Sequence, residues 1–311
     1  MEEKNMTYTS LWELIYDIII LVIVFGFVFA VIGIGEVLRK SKGLDPSFTR
    51  KMIHFFAGDA ILFCPFFINP QIIPIIPLVM GILIFFSSPK SPIASMRSMF
   101  EVMARTEDYE AGHIYGPLYY IISIGILVSI FAYPAGGAYW PLFTAAAVGL
   151  FAMYYGDGLA TIIGERWGRH KYTIGGCTRS VEGSLTVFLM TLLSAFLVLY
   201  YFSFFGFWPS FPPDQFVTIW LIYSFSPTLA TFLALSVFAA IPPMVPMLTL
   251  ILIVGIVAGT VATLIEACSQ RELDNIFVPI ITTAVVFALL LLMFPSYFSV
   301  LSLNLGSLIP L

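Results

Sequence analysis

The sequence predicts an all-α integral membrane protein, a polytopic helical bundle of about eight or nine hydrophobic segments with its N-terminus outside. Three observations carry this expectation. Hydrophobic residues make up 59% of the 311-residue chain and charged residues 10%, where soluble domains carry about 25% charged residues. Apolar runs of about 20 residues, the length that crosses a hydrocarbon core, recur along the chain. Of the 14 Lys and Arg residues, all but Lys4 and Arg271 fall in alternate loops.

The first segment, 14–38, follows an acidic leader with Glu2, Glu3, Glu13 and Asp17. A secretory signal has a basic start and a short apolar core, so this run reads as a retained span. Segments 52–69 and 71–88 are short and adjacent, and predict a hairpin turned at Asn69-Pro70. Further spans are predicted over 114–133, 138–164, 184–206, 245–267 and 276–294. Segment 216–240 is weaker, with Ser224, Ser226 and Pro227 at its middle, and the tail from Tyr297 to Leu311 reads as interfacial. The whole of 1–311 is expected to form one transmembrane domain.

The cations orient the segments. Arg39, Lys40, Lys42, Arg50 and Lys51 fill the first loop, Lys90, Arg97 and Arg105 the third, and Arg166, Arg169, Lys171 and Arg179 the fifth. Loops near 70, 135 and 210 have none. Positive loops stay inside, so the odd loops are expected to be cytoplasmic. The loop holding Glu266, Arg271, Glu272 and Asp274 would fall outside if 216–240 and 245–267 both crossed. Intramembrane charges are costly and gather at one site. The acidic loop is therefore placed inside, with 216–240 re-entrant or otherwise not a simple span.

Composition excludes several classes. Cys64, Cys177 and Cys268 are scattered, so neither a disulfide framework nor a zinc site is indicated. Net charge is -4 without a basic tract, which argues against nucleic acid. No internal repeat is found, which weakens an inverted-repeat transporter.

The chemistry concentrates between Asp157 and Ser184. Asp157 lies in an apolar helical run, and Thr161, Gly164 and Gly168 share its face at i+4, i+7 and i+11. An acid beside a smooth face can hold a divalent cation through oxygen; packing of glycines against a neighbouring helix is the plainer account. Arg166, Arg169, Lys171 and Arg179 follow, a cationic set suited to phosphate or to a solvated loop that fixes topology. Gly175-Gly176 allows a tight turn. Ser180 is a natural N-cap for the next helix with Glu182 in its first turn; Glu182 is also a candidate metal ligand. Arg50, Lys51 and His54 open the second segment at i,i+3 and i,i+4 spacings and can face one site, with His54 a candidate acid or base. Gly58 continues their face. Glu266 ends a glycine-rich apolar run where an unpaired carboxylate is costly, and Asp274, before Asn275, can N-cap the last helix. Together these residues suit an anion held at the bilayer surface, a nucleoside triphosphate with its metal being the leading candidate.

Arg50-Lys51-x-x-His54-x-x-x-Gly58, then Asp157-x-x-Ala160-x-x-x-Gly164-x-x-x-Gly168-x-x-Lys171, then Arg179-Ser180-x-Glu182-Gly183-Ser184, then Glu266 and Asp274-Asn275-x-x-x-Pro279 occur in an order that resembles the polyprenol kinase family. That family includes dolichol kinases, phytol kinases and CTP-using diacylglycerol kinases. The resemblance covers about 45–280. Arg179 stands where the family usually has Lys, His113 stands where an acid is expected, and 207–245 is longer than the family leads one to expect.

The resemblance implies a membrane kinase that passes the terminal phosphate of CTP to a lipid alcohol of the isoprenoid type, with the active site on the cytoplasmic face. It implies Mg²⁺ on Asp157, Glu182 and Glu266. Phosphates would be held by Arg50, Lys51, Arg166, Arg169, Lys171 and Arg179, with Gly164, Gly168, Ser180, Asp274 and Asn275 completing the nucleotide site. Asp157 or His54 would take the alcohol proton. Two alternatives stay open from the residues alone: a membrane cytidylyltransferase making a CDP-lipid, and a lipid transporter or flippase.

Overall fold

A chain that spans lipid must satisfy its backbone within each segment, and this one does so almost wholly with helices. The computed structural model describes residues 11–44, 46–104, 106–112, 114–131, 140–204, 244–270 and 272–293. The expectations for 216–240 and for the tail, and the positions of Arg105, His113 and Arg271, lie outside the described residues.

Helix α1 (Leu11–Lys42) ends in Arg39, Lys40 and Lys42, cations that suit the negative end of a helix. Helix α2 (Pro46–Gly58) tightens into a 3₁₀ segment, Asp59–Phe66, containing Pro65. The chain then turns at Asn69-Pro70, as expected, through a short 3₁₀ turn (Pro70–Ile72) into α3 (Ile75–Phe86). The Asp17 carboxylate of α1, fully buried, accepts hydrogen bonds from the Ile68 and Asn69 backbone N–H groups at 2.8 and 2.9 Å. The acidic residue that read as part of a leader therefore pins this turn.

Two helices were not expected: α4 (Ala94–Met103), which buries Met99, Phe100, Val102 and Met103, and the short α5 (Thr106–Ala111). Helix α6 (Tyr115–Phe131) follows. Helix α7 (Trp140–Phe151), a π turn (Ala152–Asp157) and α8 (Gly158–Arg166) form one continuous rod. Beyond it the chain departs from the all-α expectation in a β-hairpin, β1 (Lys171–Ile174) against β2 (Cys177–Ser180). Gly175 and Gly176 turn it with φ of 59° and 82°, the left-handed pair a two-residue hairpin turn requires. Helices α9 (Val181–Phe204), α10 (Met244–Cys268) and α11 (Asp274–Met293) complete the described fold.

Among the described residues five helical stretches are long and apolar enough to cross a membrane: Leu11–Lys42, Phe143–Arg166, Val181–Phe202, Ile251–Cys268 and Asp274–Leu292. Pro70–Phe86 and Tyr115–Phe131 are apolar but shorter. The eight or nine comparable segments of the sequence reading thus become full and partial ones, because proline and 3₁₀ geometry interrupt the region around 59–72.

Two packed regions position the site. One joins α7, α9, α10 and α11 through residues such as Phe143, Val148, Leu199, Phe202, Val254 and Val286. Gly149 lets α7 approach α11 closely: a Cβ there would lie 2.1 Å from Thr283 Oγ1 and 2.5 Å from the Pro279 carbonyl. Close approach through small residues is how apolar helices associate in lipid. The other region joins α1, α2, α3, α4 and α6 through residues that include Val28, Ile32, Ile53, Met80 and Phe100. Between the two lies a cavity.

Candidate functional site

The first turns of α2 deliver Arg50, Lys51 and His54 to one place. Arg50 and Lys51 are both buried, an unusual state for cations that requires partners. Lys51 Nζ donates to Asp157 Oδ2 at 3.0 Å, and both side chains are buried. Asp157 occupies the last position of the π turn. A π turn adds a residue to the helical repeat and is frequent at functional sites; here it sets the carboxylate facing α2. His54 Nε2 donates to the Met153 carbonyl at 3.2 Å, from the same π turn. That leaves Nδ1 as the acceptor nitrogen of a neutral ring. The imidazole packs on Tyr120, ring centres 4.3 Å apart, and the Tyr120 hydroxyl donates to the His54 carbonyl at 2.8 Å. Gly58 fits only as glycine, since a Cβ would lie 2.5 Å from the Tyr154 ring and 2.7 Å from the Tyr120 hydroxyl.

Across from this group, β2 carries Arg179 inward. Its Nε lies 3.0 Å from Glu266 Oε1 and its Nη2 3.5 Å from Asp274 Oδ2, and Nη2 also donates to the Ser269 carbonyl at 3.2 Å. The hairpin, the end of α10 and the start of α11 are tied together through one guanidinium. This places the acidic loop beside the basic one, as the charge argument required. Burial works against the Arg179 charge, but Glu266, Asp274 and Asp157 outweigh it and hold the guanidinium pKa above its ordinary value. Asn275 Nδ2 reaches the Gly116 carbonyl at 3.5 Å. A Cβ built on Gly116 would have the Glu272 carboxylate at 3.7 Å and Arg50 Nη1 at 3.8 Å, so both groups meet at the start of α6. Glu272 itself is held at φ 75°, a left-handed conformation that costs a non-glycine residue free energy and clusters at ligand sites.

These groups line the mouth of a cavity of about 520 Å³, within the range of small-molecule sites. Arg50, Lys51, His54, Arg179, Asp274 and Asn275 face it, joined by Thr161, Glu165, Thr178 and Glu272. Away from the mouth the lining is mainly aliphatic and aromatic, drawn from α1, α2 and its 3₁₀ continuation, the turn at Ile73, α3, α4, α6 and Tyr154 of the π turn. The cavity is amphipathic from end to end.

Other expected site residues lie elsewhere. Glu182 pairs with His170, its Oε1 2.7 Å from Nδ1, at the surface end of α9. Gly156 packs against Val187 and Thr191, which sets Asp157 near the level of Val187, about 7 Å along α9 from Glu182. The expected sharing of one metal by Asp157 and Glu182 is not formed. Among the described residues no group of three or more His, Cys, Asp or Glu side chains is arranged to hold a metal. Gly164 and Gly168 pack on Ser180: a Cβ would meet its Oγ at 2.9 and 2.5 Å respectively. Ser180 caps α9, its Oγ accepting from the Gly183 N–H at 3.1 Å, and Lys171 Nζ donates to the Gly164 carbonyl at 3.0 Å, closing the end of α8. The glycine face, the serine and this lysine build a joint between α8, the hairpin and α9. Arg166 lies over the Trp167 ring at 5.1 Å, and it and Arg169 are exposed, outside the cavity.

Sequence reasoning did not single out Thr178, Cys177 or Glu272 as site residues. Cys177 shares a strand face with Arg179 at i+2, a signal readable once 171–180 is seen as a hairpin. Glu272 was legible only as one charge of the acidic loop, because its placement at the mouth depends on the backbone conformation of the α10–α11 connection.

The carboxylates around Arg179 and the neighbouring amide offer oxygen atoms suited to a hard cation: Asp274 and Asn275 line the mouth, and Glu266, outside the lining, is held by Arg179. Glu266 Oε2 and Asn275 Oδ1 are buried without a hydrogen-bond donor, and Asp274 lies beside them on Arg179. Unpartnered buried oxygens of this kind match the all-oxygen ligation of Mg²⁺.

The chain is 33% identical to a phytol kinase of Synechocystis over 172 residues, covering 55% of this chain and 67% of that protein. It is 26% identical to phytol kinase 1 of Arabidopsis thaliana over 201 residues, covering 63% and 62%. It is also 26% identical to a probable phytol kinase 2 of rice over 186 residues, covering 58% of each. The matched region thus spans about two thirds or less of these relatives. No family model matches the chain, and no solved structure does. At 33% identity over 67% of the Synechocystis phytol kinase, this chain belongs to the polyprenol/phytol kinase family.

Proposed function

We propose that the protein transfers the terminal phosphate of a nucleoside triphosphate, CTP, to an isoprenoid alcohol at the cytoplasmic surface of a membrane. The observation that carries this reading is the amphipathic cavity, with three cations and His54 at its mouth and an apolar body. Phosphoryl transfer depends on positioning and charge neutralisation more than on covalent help from the protein. Arg50, Lys51 and Arg179 supply the positive charge, and each of the last two is fixed by carboxylates: Lys51 by Asp157, Arg179 by Glu266 and Asp274. The alcohol enters with its tail in the apolar body and its hydroxyl beside His54. With Nε2 committed to Met153, Nδ1 accepts the hydroxyl proton as the oxygen attacks the γ-phosphorus, the bond from that phosphorus to the β-phosphate oxygen breaks, and CDP leaves. Asp157, bound to Lys51, acts by positioning that cation.

Glu266, Asp274 and Asn275 would hold Mg²⁺. When bound, the cation neutralises charge on the triphosphate. The nucleotide base preference for cytosine rests on the family resemblance.

The test is a paired label experiment. Purified protein in detergent receives Mg²⁺, geranylgeraniol and CTP labelled either at the γ- or at the α-phosphate. Label from γ-CTP in an organic-soluble lipid phosphate, with none from α-CTP, is the expected result. Entry of α-label into a lipid phosphate acceptor would instead identify a cytidylyltransferase and overturn the proposal.

A further inference from the structure

The cavity has a closed far end, and three elements locate it. Along α2 and its 3₁₀ continuation the lining residues run from Lys51 through Gly58 to Cys64, about 22 Å from helical rises of 1.5 and 2.0 Å per residue. Along α6 they run from Gly116 to Val128, about 18 Å. Ile73, just before α3, meets them at the far end. Ile73, Cys64 and Val128 are only 2%, 3% and 2% exposed, so the end is sealed. The turn that carries Ile73 is held from behind by the buried Asp17 carboxylate through the Ile68 and Asn69 N–H groups. No charged residue lines this half, which is built by Ile61, Cys64, Ile73, Ile76, Ile124 and Val128.

We infer that Cys64, Ile73 and Val128 form a floor that sets the longest isoprenoid tail the chain accepts, and that Asp17 is the positioning residue that keeps this floor in place. The inference rests on the reading of the cavity as the alcohol site. With carbon–carbon bonds of about 1.5 Å, one extended isoprene repeat is about 5 Å. A depth of about 18–22 Å therefore takes about four units before the tail meets the floor. Apolar burial rewards each added unit up to that point, and overpacking penalises the next.

The experiment compares all-trans isoprenoid alcohols of two, three, four and five units as phosphate acceptors. In the unsubstituted protein kcat/KM is expected to rise through four units and fall at five. Cys64→Phe fills the floor and should lower the ratio of four-unit to two-unit kcat/KM by at least about tenfold; Val128→Ala should admit the five-unit alcohol. Asp17→Asn is expected to broaden the length profile, whereas a purely structural role would lower transfer to all lengths equally. A Cys64→Phe profile identical to that of the unsubstituted protein would overturn the inference. A second readout does not need transfer: equilibrium binding of tritiated two-unit and four-unit alcohols to the unsubstituted protein and to Cys64→Phe in detergent. Cys64→Phe should weaken binding of the four-unit alcohol by at least about tenfold and leave the two-unit alcohol within about twofold. Equal weakening of both lengths removes the floor while leaving the kinase intact. Length-dependent weakening without any phosphate transfer keeps the floor and rejects the kinase.

Discussion

Replacing Asp157 by Asn removes the partner of a buried cation and should destabilise the protein strongly. The Lys51–Asp157 contact is 3.0 Å with 9% and 4% of the two side chains exposed. At an effective dielectric constant of about 20, two unit charges at this separation attract by about 5 kcal/mol. Much of that attraction offsets the desolvation of both groups, so the pair adds little relative to an apolar replacement. Removing one partner leaves the desolvation of the other uncompensated, at a cost of about 3–5 kcal/mol. The amide introduced by Asp157→Asn keeps one acceptor oxygen, so about 3 kcal/mol is expected. Lys51→Met should cost a similar amount, and the double variant should cost less than the two singles summed, with a coupling of about 2 kcal/mol or more. The assay is reversible unfolding in mixed detergent and SDS micelles, followed by tryptophan fluorescence, on all four proteins. Single costs below about 1 kcal/mol with no coupling would show a hydrated, exposed-type pair and refute the reasoning.

Arg179→Lys keeps the charge but loses the fork that reaches Glu266 and Asp274 together. Transfer should fall by about one to two orders of magnitude, read as kcat/KM for the nucleotide, with the helical circular dichroism signal retained. Glu182→Gln should leave transfer far less affected than Asp157→Asn, because the Glu182 carboxylate is occupied by His170 outside the cavity; loss of transfer equal to that of Asp157→Asn would restore Glu182 to the site. Gly58→Ala places a Cβ 2.5 Å from the Tyr154 ring, and should destabilise by about 1–3 kcal/mol and raise KM for the alcohol in steady-state assays. An unchanged melting temperature and KM would show that Tyr154 and Tyr120 yield without cost.

Much of the fold and part of the site were legible in the sequence. Apolar runs mark spans because lipid leaves a backbone no other partner, and the cost of scattered intramembrane charge, not cation alternation, grouped the acidic last loop with the basic ones, in keeping with the convergence of Lys51, Arg179 and Asp274 on one cavity. Helical spacing placed Arg50, Lys51 and His54 together, and the cap rule found Ser180. The face drawn from Asp157 through Gly164 to Gly168 followed ideal helix spacing, which carries no information on what packs there. The glycines serve the approach of Ser180 and Gly183, and the π turn that aims Asp157 at Lys51 leaves no mark in residue type. Charge alone also could not separate Arg179, turned inward by strand alternation, from the exposed Arg166 and Arg169. The apolar half of the cavity was hidden for a simpler reason: Ile73 or Val128 in a pocket wall is chemically the same as an isoleucine or valine facing lipid.

The central claim is that one amphipathic cavity receives the alcohol with its hydroxyl at the charged mouth. It is tested most directly with a four-unit isoprenoid alcohol carrying a diazirine at its tail end, irradiated in the purified protein with Mg²⁺ and γ-labelled CTP. The account predicts cross-links on peptides containing Cys64, Ile73 or Val128, γ-label on the cross-linked lipid, and loss of both when unmodified geranylgeraniol is in excess. Cross-links spread over exposed apolar positions such as Phe56, Ile82 and Ile122, or label transfer that proceeds without any cross-link in the cavity, would contradict it.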